Sequence, residues 1–543
     1  MMDTPNVASG LAPDVICAKT PDTRSGATHS PKSANISSSV GQGLSAPAWL
    51  AHFPTGVAYP AIWAVTGELR VTAISCPLTA LVLLLVPFLM ATAVAEAAPD
   101  AIEPVEAPFP MPKLDPPQFP DRVYDIRDYG AKDGGKIENT EAIRKAIDAC
   151  AGAGGGTVRV PAGTWLTGAI HLKSNVNLHI EKGAELHFST DPEDYLPVVF
   201  TRWAGFELYN YSPLIYARDC ENIAVTGSGK LFGHGPAWWP WAKIQEETAR
   251  RVYREQVLKN VPAEERVYGT PAAGLRPQFI SPINCRNVLL EGFEIAGPGP
   301  FWTIHLVYCE NVIVRDLTLN TVGGPNTDGI NLDSTRNALI ETCEINAGDD
   351  AIALKSGINE EGRRIGRPTE NVVIRNIRAG KCHGGIVIGS EMSGGVRNIY
   401  GHSCEFIGAG KGIRLKSNAS RGGVVENCWF ENIRMTGIAQ EAIVIQTDYG
   451  AWMASKDGNA YPLFRNLVFK NITCDGAAQA VSMTATEHQP IEKVTLENVS
   501  IKAKRGMRFE WVNGITLRDV RIEPDAGNPP AVFEHCTDVE GGL

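Results

Sequence analysis

Three carboxylates fall within one short stretch of the chain. Asp349 and Asp350 are adjacent, between Gly348 and the apolar run Ala351-Ile352-Ala353-Leu354, and Asp328 precedes them in Asn326-Thr327-Asp328-Gly329. Like charges at short range push at least one pKa upward, which makes the group a candidate acid/base site. A solvated turn or an oxygen-rich cation site would use the same residues, and the stretch alone does not choose between them. Further on come Cys382-His383-Gly384-Gly385, then Arg414-Leu415-Lys416, then Gln446-Thr447-Asp448-Tyr449. Taken singly these are ordinary. A lone histidine in a strand is usually a satisfied structural group, and an Arg-x-Lys pair is usually a solvated face.

What singles them out is the repeat in which they sit. Asn followed by apolar residues recurs at Asn175-Val176, Asn222-Ile223, Asn287-Val288, Asn311-Val312, Asn371-Val372, Asn398-Ile399 and Asn466-Leu467. The spacing is irregular, roughly 21 to 34 residues in the clearest run, which is the signature of a solenoid. Each unit holds short strands joined by tight bends and cannot bury its own apolar face, so stacking must do it. The expectation is an all-β chain folded as a parallel β-helix, with Asn at the bends because it tolerates a left-handed backbone. Neither hairpin turns between equal strands nor a blade motif recurs, which argues against a sandwich or a propeller. Ala142, Ile143, Ala146, Ile147 and Cys150 recur at helical spacing behind a plausible N-cap, Asn139, and glycines end the run. That short helix is expected to cap the N-terminal end of the stack, where bare strand edges invite aggregation.

In a stack with coils about 4.8 Å apart, Asp328 lies one short coil from Asp349 and Asp350, and the later segments follow on successive coils. If these segments occupy equivalent positions, they share one face. Arg414 and Lys416 are two residues apart and so point the same way along a strand. Carboxylates beside a histidine, an arginine and a lysine suit cleavage of a negatively charged polysaccharide. Cations grip substrate carboxylates. Glycoside hydrolysis needs one protonated carboxyl for the leaving oxygen and one ionised carboxylate for water.

At these residues the chain resembles glycoside hydrolase family 28, the polygalacturonase family, of bacterial type. The matching motifs are Asn326-Thr327-Asp328, Gly348-Asp349-Asp350, His383-Gly384 and Arg414-Leu415-Lys416, and the likeness extends over residues 121 to 520. The resemblance implies a right-handed parallel β-helix that hydrolyses α-1,4-galacturonosidic bonds of pectin with inversion and without a metal or other cofactor. It implies Asp349 as general acid, Asp328 and Asp350 as the residues that hold and activate water, and His383 as the group that maintains the acid's protonation. It implies substrate binding by Asn326, Arg414, Lys416 and Tyr449. Three positions depart from the family's usual residues. Cys382 stands for glycine before the histidine, Leu415 stands for isoleucine, and Phe232 replaces a common acidic residue. The intact set of three carboxylates favours homogalacturonan over rhamnogalacturonan. A pectate-lyase-like eliminating enzyme and a non-catalytic polysaccharide-binding β-helix are the alternatives from other classes.

The remaining sequence bounds this reading. A net charge of −10 argues against bulk nucleic-acid binding, and a monomer acting on a pectic polymer is expected. Cys220, Cys285 and Cys309 recur in one context, each followed by a charged residue and Asn, and read as a stack of small apolar side chains rather than metal ligands. Residues 1–68 are rich in small and polar residues and read as a disordered or spurious extension. Residues 69–95 carry Arg70, the apolar run through Leu81–Val86 and an Ala93-Val94-Ala95 ending, the pattern of a signal peptide. Its internal position suggests translation starting near Leu69 or Val71. A membrane anchor is disfavoured by the length of the run and by Pro87, so the expected enzyme is exported, periplasmic or secreted, and off the membrane after signal cleavage. Residues 96–120 are proline-rich and read as an extended linker, with the catalytic domain at 121–543. Residues 235–278 break the repeat with Trp238-Trp239-Pro240-Trp241 and a charged helical stretch from Ile244 to Leu258. Such a lateral loop is expected to shape a cleft, its tryptophans either stacking on sugar or anchoring the loop.

Overall fold

A computed structural model describes residues 102–450, 453 and 458–542. The sequence features at 1–68 and 69–95, and the start of the proline-rich stretch, lie outside the described residues. From Val123 onward the chain winds as a right-handed parallel β-helix. The first rung is Val123–Asp125, paired in parallel with Gly156–Val160. The last pairing joins Val512–Pro524 to Thr537–Gly541. Apolar residues such as Val158, Leu178, Val225, Leu290, Val314, Ile340 and Ile374 point inward and form one continuous core.

The predicted asparagines line up at one bend. Asn175, Asn222, Asn287, Asn311, Asn371, Asn398 and Asn466 are joined by Asn337 and Asn427, all with φ between +53° and +63°. From Asn222 onward each Nδ2 donates to the Oδ1 of the asparagine one coil before it, as from Asn287 to Asn222 (2.9 Å) and from Asn337 to Asn311 (3.2 Å). Asn accepts this backbone more readily than other non-glycine residues, and its amide is at once donor and acceptor, so the column satisfies itself. The residue before each asparagine from Asn222 onward forms a second column. Glu221, Arg286, Glu310, Arg336, Glu370, Arg397, Glu426 and Arg465 are register neighbours in that order. Charge alternates from coil to coil, with ion pairs such as Arg336–Glu310 at 2.8 Å.

The cap helix α1 (Thr140–Gly152) buries Ala142, Ile143, Ala146, Ile147 and Cys150, as its spacing predicts. Asn139 occupies the cap position but does not cap with its side chain. Its amide instead accepts from Lys132 N (2.7 Å) and donates to Ile137 O and Leu166 O, while Glu138 accepts from Thr140 N (2.7 Å). Tertiary ties of the incoming loop outbid the local cap. Cys220, Cys285 and Cys309 sit on successive coils as free thiols, the latter two buried.

The described part of the proline-rich stretch is extended but is not a free tether. Phe109 and Leu114 pack on Ala224, Leu289, Ile313, Leu339 and Val373, an outward-facing apolar column of one sheet. The strand triplets there, such as Val288-Leu289-Leu290, are apolar on both faces, so the column needs a cover and the strap supplies it. The 235–278 insertion forms α2 (Ala242–Val252), followed by a π-helical turn at Tyr253–Val257. Trp238 is buried against Tyr195, Tyr211 and Trp241, which makes it an anchor of the insertion. An antiparallel hairpin, Val199–Trp203 with Phe206–Asn210, stands beside the helix and has no counterpart in the repeat reading. Among the described residues no helix is long and apolar enough to cross a membrane.

Candidate active site

The site is built on consecutive parallel strands of one sheet: β1 (Ile304–Val307), β2 (Ile330–Asp333), β3 (Ile352–Lys355), β4 (Gly384–Gly389), β5 (Lys411–Lys416) and the end of β6 (Val424–Gln446). Ile330 pairs with Ile352, and Gly329 N donates to Asp350 O (2.9 Å), so Asp328 and Asp350 hold equivalent places on neighbouring coils. His383 N donates to Asp349 O (2.8 Å), which sets the histidine one coil beyond Asp349. The predicted segments therefore do share one face. Thr327 fixes the loop before Asp328 by donating to Thr321 O (2.8 Å) and Gly324 O (3.1 Å). Gly348 must be glycine, because a Cβ there would lie 2.2 Å from Thr327 Oγ1 and 2.5 Å from Gly324 O.

The carboxylates have different partners. His383 Nδ1 lies 3.0 Å from Asp349 Oδ1, with the imidazole 64% exposed at the lip and the Asp349 side chain 21% exposed below it. Lys416 Nζ lies 2.7 Å from Asp350 Oδ2, and Arg414 Nη1 lies 3.9 Å from Asp350 Oδ1. Asp328 Oδ2 faces Lys355 Nζ at 3.8 Å. Arg414 and Lys416 both stand over the Tyr449 ring, at 5.1 and 5.5 Å from its centroid. Asn326 Oδ1 accepts from Arg276 Nη2 (2.8 Å). All the residues predicted for the site line one cavity of about 520 Å³.

The electrostatics add to the sequence expectation in one respect. The resemblance places the proton on Asp349 with ionised neighbours. In the structure burial, then the Asp349 charge, pushes the Asp328 carboxyl well above the usual range. Burial also opposes ionisation of Asp349, but the His383 hydrogen bond and the Lys416 and Lys355 charges outweigh it and bring the carboxyl below its ordinary value. His383 is raised in turn, chiefly by its bond to Asp349. Both directions favour an Asp349 carboxylate beside a His383 imidazolium. Lys416, expected to hold substrate, is itself the buried counter-ion of Asp350.

Several residues of the cavity were not foreseen. Lys355 pairs with Glu391 (3.1 Å) as well as Asp328, and its ammonium lies 4.4 Å from the centroid of the Trp302 ring. Glu391 is held down at about 2, since Lys355 and Arg421 outweigh its burial. Trp203, Phe301 and Trp302 form a stacked wall, with centroids 5.2 and 5.1 Å apart. Helix α2 contributes Ala242, Gln245 and Glu246. Lys355 had a readable signal, since the step from Asp328 to Asp350 also carries Asp333 to Lys355. The aromatic wall had none, because its members come from a hairpin and a bend outside the repeat.

Residues 150–516 match the family model for glycosyl hydrolases family 28. A solved hyperthermoactive exopolygalacturonase from Thermotoga maritima is 39% identical, with a TM-score of 0.72 over 76% of this chain and 94% of that one. A family 28 exopolygalacturonase of Yersinia enterocolitica is 26% identical, with a TM-score of 0.66 over 77% of this chain and 78% of that one. A probable polygalacturonase of Vitis vinifera is 27% identical over 74% of this chain and 80% of its own length.

Proposed function

The chain belongs to glycosyl hydrolases family 28, and on that footing we propose that it hydrolyses the α-1,4-galacturonosidic bonds of pectic polygalacturonate from a chain end, with inversion. It is a glycosidase whose substrate is a pectic polysaccharide. The single observation that carries the exo reading is the placement of the 235–278 insertion. Ala242, Gln245 and Glu246 of α2, with Trp203 and Ala204 of the hairpin, wall the cavity beside the carboxylates. If these residues close one end of the cavity, only a chain terminus reaches the acid, and the bond cleaved is a terminal one. The likeness to two exopolygalacturonases supports the same conclusion.

In this reading Asp349 delivers the proton to the leaving oxygen. The proton waits on His383, 3.0 Å from Asp349 Oδ1. Substrate that excludes water from this pair favours its uncharged form, a carboxylic acid beside a neutral imidazole, because desolvation disfavours charge. Asp350, with the Lys416 ammonium at 2.7 Å, takes the proton of the attacking water. Asp328 holds that water on the opposite side of the sugar from the leaving group, as inversion requires. Arg414 and the free donors of Lys416 meet a uronate carboxylate, and Tyr449, already under both cations, packs on the ring. Action on a cell-wall polymer implies export, which the signal-like stretch at 69–95 supports.

Chromatography of products from polygalacturonate over time, with and without chelator, tests this. Galacturonate or one short oligomer from the outset is expected, unchanged by chelator. A ladder of oligomers would overturn the exo reading. An unsaturated, chelator-sensitive product would overturn hydrolysis.

A further inference from the structure

Behind the cavity wall lies a cation with no anion. Arg276 is 0% exposed. Its guanidinium donates to Gln245 Oε1 (2.7 Å), Pro300 O (2.9 Å), Pro325 O (2.8 Å) and Asn326 Oδ1 (2.8 Å), all of them neutral acceptors. Among the described residues no carboxylate lies within salt-bridge distance of it. Its remaining neighbour is the face of the Phe301 ring, 5.0 Å from the guanidinium carbon. Burial alone pushes Arg276 down to about 9, with no countering charge. A buried ion is ordinarily matched by a partner, because leaving it unmatched is costly.

The arrangement also fixes the orientation of an amide. Arg276 is donor-only, so it must face the oxygen of Asn326. Gln245 Nε2 approaches the same oxygen at 3.5 Å. With Oδ1 committed, Nδ2 is the remaining end of the planar amide of a residue that lines the cavity, and no acceptor of the described residues takes it. Asn326, Gln245, Phe301 and Pro325 all line the cavity, on the wall built by the insertion.

We propose that Arg276 is a positioning residue for an anionic sugar: it aims the Asn326 amide into the cavity and supplies the positive field that a uronate carboxylate at the insertion wall balances. The pairing completes itself on binding, so the substrate is the missing counter-ion. A neutral hexose fits the same space without satisfying the charge, and the wall therefore selects uronates over their neutral or esterified forms. This contact is separate from the Arg414 and Lys416 cations, which face Asp350 and Tyr449.

The proposal rests on the reading of the substrate as polygalacturonate. Kinetics of Arg276→Gln and Arg276→Lys on trigalacturonate, at low and raised salt, test it alongside melting temperatures. In Arg276→Gln, KM is expected to rise by about tenfold or more, from the lost positive field and the loosened Asn326 amide, with a smaller change in kcat and a flatter dependence of KM on salt. A folded Arg276→Gln with the KM and salt dependence of the wild type would overturn the proposal. Should that variant not fold, Arg276→Lys decides. Its ammonium has three donors for four acceptors, so a KM raised severalfold supports the proposal and an unchanged KM overturns it. A merely structural role would lower the melting temperature and kcat without separating KM. Failure of the underlying reading shows elsewhere, as wild-type enzyme that releases nothing from polygalacturonate.

Discussion

The division of labour proposed for the three carboxylates rests on their partners, not on their own chemistry. Asp349 has a titratable partner at the lip, and Asp350 has a buried ammonium. Asp349→Asn keeps the shape and removes the acid, so kcat is expected to fall by about 10²–10⁴ with the fold intact, as read by steady-state kinetics and thermal melting. Lys416→Met leaves the buried Asp350 charge with only the more distant Arg414, 3.9 Å away, and is expected to cost about 3 kcal/mol of stability, measurable by denaturant unfolding. His383 supplies the pH dependence. Its pKa is raised in the fold, so the imidazolium bound to Asp349 persists below that value and is lost as pH rises through it. kcat/KM should therefore fall on the alkaline side at a pH above the ordinary histidine value of about 6.5. In His383→Asn the acid proton is held by carboxyl groups alone, and the fall should begin about one pH unit lower or more. An alkaline limb that does not move would remove His383 from the proton path.

At the scale of elements, what positions these side chains is the column of asparagines. Asn337 donates to Asn311 and accepts from Asn371, at φ +55°. Asn337→Ala loses both bonds and forces alanine into a left-handed backbone, an expected loss of about 2–4 kcal/mol that unfolding in denaturant would read. The repeated Asn was legible because one backbone conformation recurs at every coil and few residues accept it. The alternating charges just before it were equally legible. Glu221, Arg286, Glu310 and Arg336 stand in plain sequence view once the asparagines are aligned. Removing one coil would set like charges on neighbouring rungs, so the column adds a register rule to the fold. The N-cap at Asn139 illustrates the limit of local reading. The residue type and place were right, but the amide's partners include Leu166 O, which is distant in sequence, and no local rule can see that bond.

For the whole molecule, the sequence showed a solenoid and its candidate site face, but not what covers the rest of it. The strap at 102–120 looked like a linker because prolines and extended backbone serve both purposes. Its apolar residues, Phe109 and Leu114, gain meaning only beside the outward column that they cover. Phe109→Ala is accordingly expected to cost about 2–4 kcal/mol, measured by thermal unfolding, where a free linker would show no change. The cavity wall was hidden for the same reason, since Trp203, Gln245 and Phe301 meet only when the hairpin, α2 and a bend converge. The central claim, that three carboxylates on neighbouring coils drive a single displacement by water, is tested most directly by proton NMR of the first sugar released from polygalacturonate. The account predicts that β-anomeric galacturonate forms first and then mutarotates, and that Asp349→Asn gives no such signal. An α-anomer formed first, or an unsaturated product, would contradict it.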